Sequence, residues 1–255
     1  MLLTVDIGNT NITMALIDEN QNIAGTFRLT TKAQRTSDEY GLTMMEFFRL
    51  SKVPVSAIED VIISSVVPKV MHSFNNSVRK YVHKEPIIVG PGIKTGLSIR
   101  IDNPAQLGSD LVVAAVAGIQ EYTCPMILID MGTATTYSVI DENKNYLGGL
   151  ITTGMAVSSD ALVSRTSQLP RISFDSPKKV IGTNTVDCIK SGILYSNAAA
   201  IDGIVDRIEK ELGKECTVVA TGGLSHLVAS LCNRKLILDD DLLLKGLMYL
   251  YEKNT

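Results

Sequence analysis

Short apolar runs alternate with longer segments of helical spacing along the chain. Runs rich in Val and Ile, at residues 61–67 and 86–90, end in turn residues and predict buried strands. Residues 37–51, 185–212 and 239–253 instead repeat apolar positions every three or four residues and predict amphipathic helices, the second with a break near Gly203. Strands alternating with helices are typical of an α/β fold.

Capping signals mark where several helices begin. Ser37 is the predicted N-cap of the first helix, and Pro68 suits the first turn of the next one. Asn103 is followed by Pro104, with Gln106 three residues after the Asn, which predicts a helix from there to about Tyr122.

The chain contains an internal repeat. Residues 2–25 (LLTVDIGNTNITMALIDENQNIAG) resemble residues 126–149 (MILIDMGTATTYSVIDENKNYLGG) with a one-residue gap. The aligned pairs include Asp6 with Asp130, Gly8 with Gly132, Asp18 with Asp141, and Gly25 with Gly148. Each copy predicts a strand, a tight turn, a second strand and a polar D-E-N-x-N turn. We therefore expect two similar halves, residues 1–122 and 123–255, joined near residues 121–125.

Composition narrows the class of protein. Hydrophobic residues make up 45% and charged residues 20%, as in globular proteins, and the net charge of −3 argues against nucleic acid or an anionic membrane as a partner. No apolar run approaches the roughly 18 residues of a membrane span, and the first residues lack a signal-peptide pattern. The four cysteines and three histidines show no metal or disulfide spacing. We expect a cytoplasmic protein with reduced, mostly buried thiols.

The two repeated turns carry candidate chemistry. Each places a carboxylate, Asp6 or Asp130, at a strand end before a glycine and small polar residues. Glycine lets the backbone approach a phosphate closely, and a hydrated Mg²⁺ takes one or two carboxylates plus phosphate oxygens. Two such loops facing across a cleft would hold a triphosphate and its metal. A single D-x-G turn is common, whereas a duplicated pair is a stronger signal.

Two further glycine-containing turns leave alternatives open. Residues 221–225 (TGGLS) follow a predicted strand, and their glycines suit either a ligand lying against the backbone or a tight turn. Residues 90–96 (GPGIKTG) do not match the P-loop pattern, because the lysine is misplaced. They are either a loop lining a small-molecule pocket or a simple turn.

Asp110 is a carboxylate in an apolar setting. On a helix starting at Asn103, its neighbours would be Gln106, Leu107, Val113 and Ala114, with no Lys or Arg within reach. A carboxyl in that setting has a raised pKa and suits accepting a proton from an alcohol. The same helix carries four apolar residues that could pack against either a partner helix or the core: Val112, Val113, Val116 and Ile119.

Together these motifs resemble the actin/hexokinase/sugar-kinase superfamily and, within it, type III pantothenate kinase. The matching stretches are DIGNTN at 6–11, PGIKTGL at 91–97, NPAQLGSD at 103–110, DMGTATT at 130–136, GGLITTG at 148–154, SRTSQLP at 164–170, IGTNTVDCIKSGI at 181–193, and TGGL at 221–224. The ordered set, which extends through most of the chain, is far more specific than any single motif. It implies two ribonuclease-H-like domains, with residues 221–224 on the adenosine side.

The resemblance implies ATP-dependent phosphorylation of pantothenate, the first step toward coenzyme A, by a homodimer. It assigns ATP to Thr133 and to a first phosphate loop made of Asp6, Ile7, Gly8, Asn9, Thr10, Asn11, Ile12 and Thr13. It assigns Mg²⁺ to Asp6 through water and a monovalent cation, K⁺ or NH₄⁺, to Asp130. It assigns pantothenate to Ile101, Gly108, Ser109, Asp110, Leu111 and Thr185, with Asp110 as general base.

The sequence departs from the family pattern at two substrate positions. Members often carry Arg after the catalytic Asp and Tyr two residues before the Asn-Pro pair, where this chain has Leu111 and Ile101. Arg is the natural partner of a carboxylate, because its guanidinium forms paired hydrogen bonds. Arg100 and Arg165 are candidate replacements.

Two other functions compete with this one. The leucine after Asp110 favours a kinase of the same fold acting on another small alcohol. The family also includes relatives described as accessory transcription factors, but these should have lost the carboxylates that remain here as Asp6, Asp110 and Asp130. A heat-shock-type ATPase or an actin-like polymer is disfavoured, because those folds carry large insertions.

Overall fold

A computed structural model describes all residues, 1–255, as two compact units. The first comprises Met1–Leu97, Asp102–Gln120 and Asp241–Thr255, and the second Ser98–Ile101 and Glu121–Asp240. Two contiguous halves, 1–122 and 123–255, stay a prediction. The compact units differ from these halves at residues 98–101, 121–122 and 241–255.

The structure contains eleven strands and seven α-helices. The strands are β1 (Leu2–Ile7), β2 (Asn11–Ile17), β3 (Ile23–Thr30), β4 (Asp60–Ser65), β5 (Ile87–Ile88), β6 (Ser98–Ile99), β7 (Met126–Met131), β8 (Ala134–Ile140), β9 (Asn145–Thr153), β10 (Thr217–Thr221) and β11 (Ile237–Leu238). The helices are α1 (Ser37–Leu50), α2 (Pro68–Ser77), α3 (Ser109–Glu121), α4 (Met155–Ser164), α5 (Thr185–Leu212), α6 (Ser225–Ala229) and α7 (Leu242–Asn254). None of the helices has the combination of length and apolar character needed to cross a bilayer.

The two sheets share one order of five strands, which extends beyond the hairpin that the internal repeat predicted. The first sheet runs β3-β2-β1-β4-β5, and the second runs β9-β8-β7-β10-β11 with β6 added beside β9. In the first sheet, β1 pairs antiparallel with β2 and parallel with β4. In the second sheet, β7 pairs antiparallel with β8 and parallel with β10. The carboxyl ends of β1 and β4 therefore lie at the same edge of the first sheet. Those of β7 and β10 lie at the same edge of the second sheet.

The repeated hairpins agree in detail. Asp6 pairs with Thr13 and Asp130 with Thr136, and the one-residue difference in spacing is the gap of the sequence alignment. In both polar turns the first Asp accepts hydrogen bonds from the N–H groups two and four residues later, at 2.8 to 2.9 Å. The fourth residue of each turn, Gln21 or Lys144, has positive φ. The predicted duplication of the hairpin is therefore confirmed.

The first unit has an aromatic core. Tyr40, Phe47 and Phe48 of α1 pack with Phe74 of α2 against the apolar face of the sheet, and all four are almost fully buried. On α3, the valines and Ile119 that the sequence left open between a partner helix and the core are buried within the chain. They belong to the interior of the protein.

Several predicted details are corrected by the structure. Thr36 rather than Ser37 caps α1, because its hydroxyl accepts the N–H of Glu39 while the Glu39 carboxylate accepts the N–H of Thr36. The predicted break near Gly203 is absent, since α5 is one continuous 28-residue helix. The thiols are free as expected, but none is fully buried, and Cys188 is exposed.

The prediction that a helix starts at Asn103 is also wrong. Asn103 does cap a turn, because its side chain accepts the N–H of Ala105, but that turn is a single 3₁₀ turn, Pro104–Gln106. Leu107 then adopts an extended conformation, with φ −67° and ψ 125°, and stops the turn. The α-helix begins only at Ser109, which places Asp110 in its first turn.

Candidate functional site

The first loop, residues 6–13, lies at the carboxyl end of β1. Asp6 is half-buried, and the turn after it closes through a 2.9 Å hydrogen bond from the Gly8 N–H to the Asn11 carbonyl. Asn9 and Thr10 are exposed at its tip. Thr31 braces the turn, because its hydroxyl donates to the Gly8 carbonyl at 2.7 Å and its N–H to the Thr10 carbonyl at 2.9 Å. The loop is a fixed surface of backbone and small polar side chains.

The second loop, residues 130–136, has the same design and is lined by backbone. The Gly132 N–H donates to the Ala134 carbonyl at 3.0 Å, and Thr133 is exposed. A Cβ placed on Gly154 would lie 2.3 Å from the Gly132 carbonyl oxygen, so only glycine fits there. One oxygen of Asp130 lies 3.7 Å from the position that a Cβ on Gly132 would occupy. The carboxylate therefore borders a surface that side chains leave open.

The TGGL turn lies directly against the second loop. Its strand, β10, runs parallel to β7 and pairs Thr221 with Asp130. Gly222 follows with φ +97°, and a Cβ there would lie 2.6 Å from the Met131 carbonyl oxygen. Both features exclude side chains, so this glycine is required by the close approach of two backbones. That contact accounts for Gly222 structurally and places the turn beside the second loop.

Asp110 is held in the first turn of α3. Its Oδ1 accepts the Leu111 N–H at 2.8 Å, and a Cβ added to Gly108 would lie 2.5 Å from the same oxygen. Burial raises the pKa of the Asp110 carboxyl, while the N–H groups of Leu111 and of Asp110 itself oppose that rise. The raised pKa agrees with the sequence prediction, although the helix begins later than predicted. A partly desolvated carboxylate is a good proton acceptor.

The start of α3 and the first loop lie at the same edge of the first sheet. Ser109, at the start of α3, donates its hydroxyl proton to the Ser65 carbonyl at 2.9 Å, at the carboxyl end of β4. There β4 lies beside β1, with Ser64 opposite Asp6 in the register. Residues about a hundred positions apart in the chain are thus brought to one edge of the first unit.

The other predicted substrate residues lie in the second unit. Ile101 is half-buried, close to Gly148. Thr185 is exposed in the first turn of α5, which Asn184 caps by accepting the Asp187 N–H at 3.0 Å. Of the candidate cations, Arg100 is exposed near Asp141, and Arg165 is exposed at the end of α4. Burial opposes the lowered pKa of Asp141, which results mainly from its hydrogen bonds with Asn145, while the Arg100 charge adds a smaller contribution.

Residues 90–96 form a structural turn. The Lys94 N–H donates to the Asn254 side-chain oxygen at 2.9 Å, and the Asn254 amide donates back to the Lys94 carbonyl at 3.0 Å. Gly92 and Gly96 both have positive φ. These contacts favour the simple-turn interpretation of this segment over a pocket lining.

Sequence reasoning missed two residues of the first unit, Arg35 and Ser64. Arg35 follows Thr31 in the chain, and its guanidinium lies 5.8 Å from the centre of the Tyr40 ring. Its Nη1 is buried without a hydrogen-bond partner. Ser64 is fully buried on β4 and donates its hydroxyl proton to Ser109. The sequence offers no signal for Ser64 beyond a serine in an apolar strand. The sequence offers no signal for Arg35 either, because its neighbours look like an ordinary helix start.

A concavity of about 170 Å³ in the first unit is not part of this site. It lies where β1 begins and β2 ends, the opposite end of β1 from Asp6, and Met1, Ile17 and Met248 contribute to its lining. The carboxylates that border it have partners of their own, such as Glu59 with the N-terminal amine at 2.9 Å and Glu252 with Gln21 at 2.7 Å. The chemistry-bearing residues lie at the other edge of the sheet.

Comparison with known proteins adds a family and a fold. The model of the type III pantothenate kinase family matches residues 2–207. Proteins called type III pantothenate kinase are 43% identical in Halalkalibacterium halodurans, over 100% of both chains, and 44% identical in Bifidobacterium adolescentis, over 100% of this chain and 99% of the relative.

Solved structures with an actin-like ATPase fold resemble the whole chain. Component A of (R)-2-hydroxyglutaryl-CoA dehydratase from Acidaminococcus fermentans has a TM-score of 0.58, with 14% identity over 98% of this chain and 96% of its own. The activator of 2-hydroxyisocaproyl-CoA dehydratase from Clostridium difficile, solved with ADPNP bound, has a TM-score of 0.54, with 13% identity over 98% and 93%. The α/β fold predicted from the sequence is thereby confirmed.

Proposed function

The chain belongs to the type III pantothenate kinase family, and we infer that it phosphorylates pantothenate with ATP in the first step of coenzyme A biosynthesis. The observation that carries the mechanism is the Ser109–Ser65 hydrogen bond, which places the start of α3, with Asp110, at the same edge of the first sheet as the first loop. One supplies a proton acceptor and the other a surface for phosphate.

Phosphoryl transfer needs positioning and charge neutralisation more than covalent help from the protein. In this proposal the first loop, from Asp6 to Thr13, and Thr133 of the second loop bind ATP. Asp110 takes the proton from the primary alcohol of pantothenate as that oxygen bonds to the γ-phosphorus of ATP. The bond from the γ-phosphorus to the β,γ-bridging oxygen breaks, and ADP leaves with that oxygen. The burial that raises the pKa of Asp110 brings its basicity closer to neutral conditions and so supports this role.

The donor atoms fit the proposed cations. Mg²⁺ and K⁺ bind oxygen ligands, and a hydrated Mg²⁺ needs only one or two carboxylates. The half-buried Asp6 at the mouth of the first loop supplies a carboxylate for Mg²⁺ through water. Asp130, beside the open backbone surface of Gly132, supplies one for K⁺ or NH₄⁺. When bound, Mg²⁺ neutralises charge on the phosphates.

The proposed pantothenate site is centred on Asp110. Gly108, Ser109 and Leu111 flank Asp110 in the chain, within the first unit. The family resemblance adds Ile101 and Thr185 to the proposed substrate contacts. Leu111 is half-buried and has no charge with which to hold the pantothenate carboxylate. Arg100 and Arg165 stay candidates for that role. Homodimer assembly and a cytoplasmic location also belong to this proposal.

The activity is tested by ADP release from purified protein with ATP, Mg²⁺ and pantothenate, in K⁺ and again in Na⁺ alone. We expect release that depends on pantothenate and on K⁺. Asp110→Asn should lower kcat by about 10²- to 10⁴-fold, the usual effect of removing a general base. Asp38→Asn, which changes an exposed carboxylate of the same unit, is the matched control and should leave kcat unchanged.

Full turnover by Asp110→Asn would show that another group takes the proton. Turnover with a different alcohol but not with pantothenate would assign the chain to the alternative kinase activity. A folded wild-type protein that turns over no alcohol would instead support the regulator interpretation.

A further inference from the structure

Two buried hydroxyl groups connect the sheet to the helix that carries Asp110. Ser64 lies on β4, is 0% exposed, and donates its hydroxyl proton to the Ser109 Oγ at 3.1 Å. Ser109 donates its own proton to the Ser65 carbonyl at 2.9 Å. A hydroxyl has one proton to donate, so both protons are committed to this chain of hydrogen bonds.

The connection is made at the first turn of α3. Before this turn, the 3₁₀ turn ends at the extended residue Leu107, so the helix start is not continuous with a preceding helix. The Ser109 side chain instead attaches the turn to the end of β4, where Ser64 lies opposite Asp6 in the sheet register. The sheet therefore defines where α3 begins.

The position of the Asp110 carboxylate depends on that first turn. Its Oδ1 accepts the Leu111 N–H at 2.8 Å, so the oxygen moves with the backbone of the turn. A Cβ on Gly108 would lie 2.5 Å from this oxygen, which shows how little space the turn leaves around it. A displacement of about 1 Å of a reacting group can cost about 100-fold in rate.

We propose that Ser64 is a positioning residue for phosphoryl transfer, acting through the Ser109 hydroxyl on the carboxylate of Asp110. In this assignment the Ser109 side chain serves the helix start rather than donating a hydrogen bond to the substrate. The assignment rests on the proposed function and deepens it, because it links the strand beside Asp6 to the group that takes the substrate proton.

The first test compares steady-state kinetics of Ser64→Ala, Ser109→Ala and the double variant. We expect each single variant to lower kcat by about 10- to 100-fold while the KM for ATP stays within about twofold. The double variant should be no slower than the worse single variant, since both remove one connection. Ser64→Cys, which keeps a weak donor of similar size, should recover part of the lost rate.

The matched control is Ser77→Ala. Ser77 is also 0% exposed in the first unit, and its hydroxyl donates to the Phe74 carbonyl at 2.6 Å within α2. This variant should lose thermal stability without losing kcat. If Ser64→Ala lowers the melting temperature but keeps the kcat of Ser77→Ala, Ser64 is merely structural and the proposal is wrong.

A second readout does not need turnover. The carboxyl carbon of Asp110 can be titrated by NMR in wild type, Ser64→Ala and Ser77→Ala. A released helix start lets water reach the carboxylate, so its pKa should fall toward the ordinary value in Ser64→Ala and stay raised in Ser77→Ala. An unchanged titration in Ser64→Ala would overturn the proposal. A wild-type protein inactive on pantothenate would contradict the proposed function alone, because the titration still tests the positioning.

Discussion

Asp110 shows how a single residue is determined by its surroundings. Its pKa rises because the fold partly removes its carboxyl from water, and the opposing backbone N–H groups do not restore the ordinary value. Of the neighbours inferred from the sequence, Val113 and Ala114 do lie on α3 and are buried, whereas Gln106 and Leu107 precede the helix. Burial of the first turn of α3 is the cause.

This burial predicts a pH-dependent effect of Asp110→Asn on stability. The folded-state pKa lies above the ordinary 3.8, so the folded protein loses stability as pH rises through that pKa and the buried group ionises. Asparagine carries no charge. The variant should therefore be more stable than wild type at neutral pH, and the difference should shrink as pH falls toward 4. Urea unfolding from pH 4 to 8 measures it.

Asp38→Asn, in the same unit, is a control whose effect on stability has the opposite sign. The hydrogen bond from Lys80, with that from Tyr81, lowers the pKa of Asp38, so its ionised form stabilises the fold. Asp38→Asn should lose stability at neutral pH, and this loss should shrink as pH falls. A stabilisation by Asp110→Asn that is the same at every pH would mean that packing, rather than charge, is responsible.

At the scale of elements, the packing of α3 against α7 requires a glycine. A Cβ on Gly246 would lie 2.1 Å from the Val113 carbonyl oxygen, so the helices approach with backbone against backbone. Helical spacing alone predicted both helices, but it gave no sign of which glycine their contact would need.

Gly246→Ala should destabilise the protein by about 1–3 kcal/mol, because the methyl group overpacks this contact. Gly192→Ala on α5 is the matched control, since it is exposed and its Cβ would meet nothing within 4 Å. That change should stabilise the protein by about 0.5–1 kcal/mol through helix propensity. Chemical denaturation compares them, and equal effects of the two alanines would contradict the assigned helix contact.

At the scale of the whole molecule, the C-terminal helix completes the first unit. Residues 241–255 belong to the same compact unit as β1, although the sequence repeat places them in the second half. Leu242, Leu247 and Leu250 are all 0% exposed. The hydrogen bond from Tyr251 to Asp60 at 2.6 Å, and those between Asn254 and Lys94, attach the helix at its far end.

A chain ending at Asp240 should therefore lose the fold of its first unit. Each fully buried leucine contributes about 1.5–3 kcal/mol, and the sum over α7 is comparable to the total stability of a domain. Limited proteolysis should cut within residues 1–97 of the truncated chain. A chain ending at Glu252 keeps the buried leucines and is the control. Protection of residues 1–97 in the shorter chain would show that the first unit folds without α7.

The sequence by itself determined the α/β class, the duplicated hairpins, and the candidate carboxylates Asp6, Asp110 and Asp130. These follow from local causes, because apolar periodicity, turn residues and an internal repeat are written in contiguous residues. Only the tertiary structure decided that α3 begins at Ser109, that Gly222 and Gly154 border the second loop, and that Ser64 connects to Ser109. Such contacts join residues far apart in the chain, and no local pattern encodes which distant partner a buried group will meet.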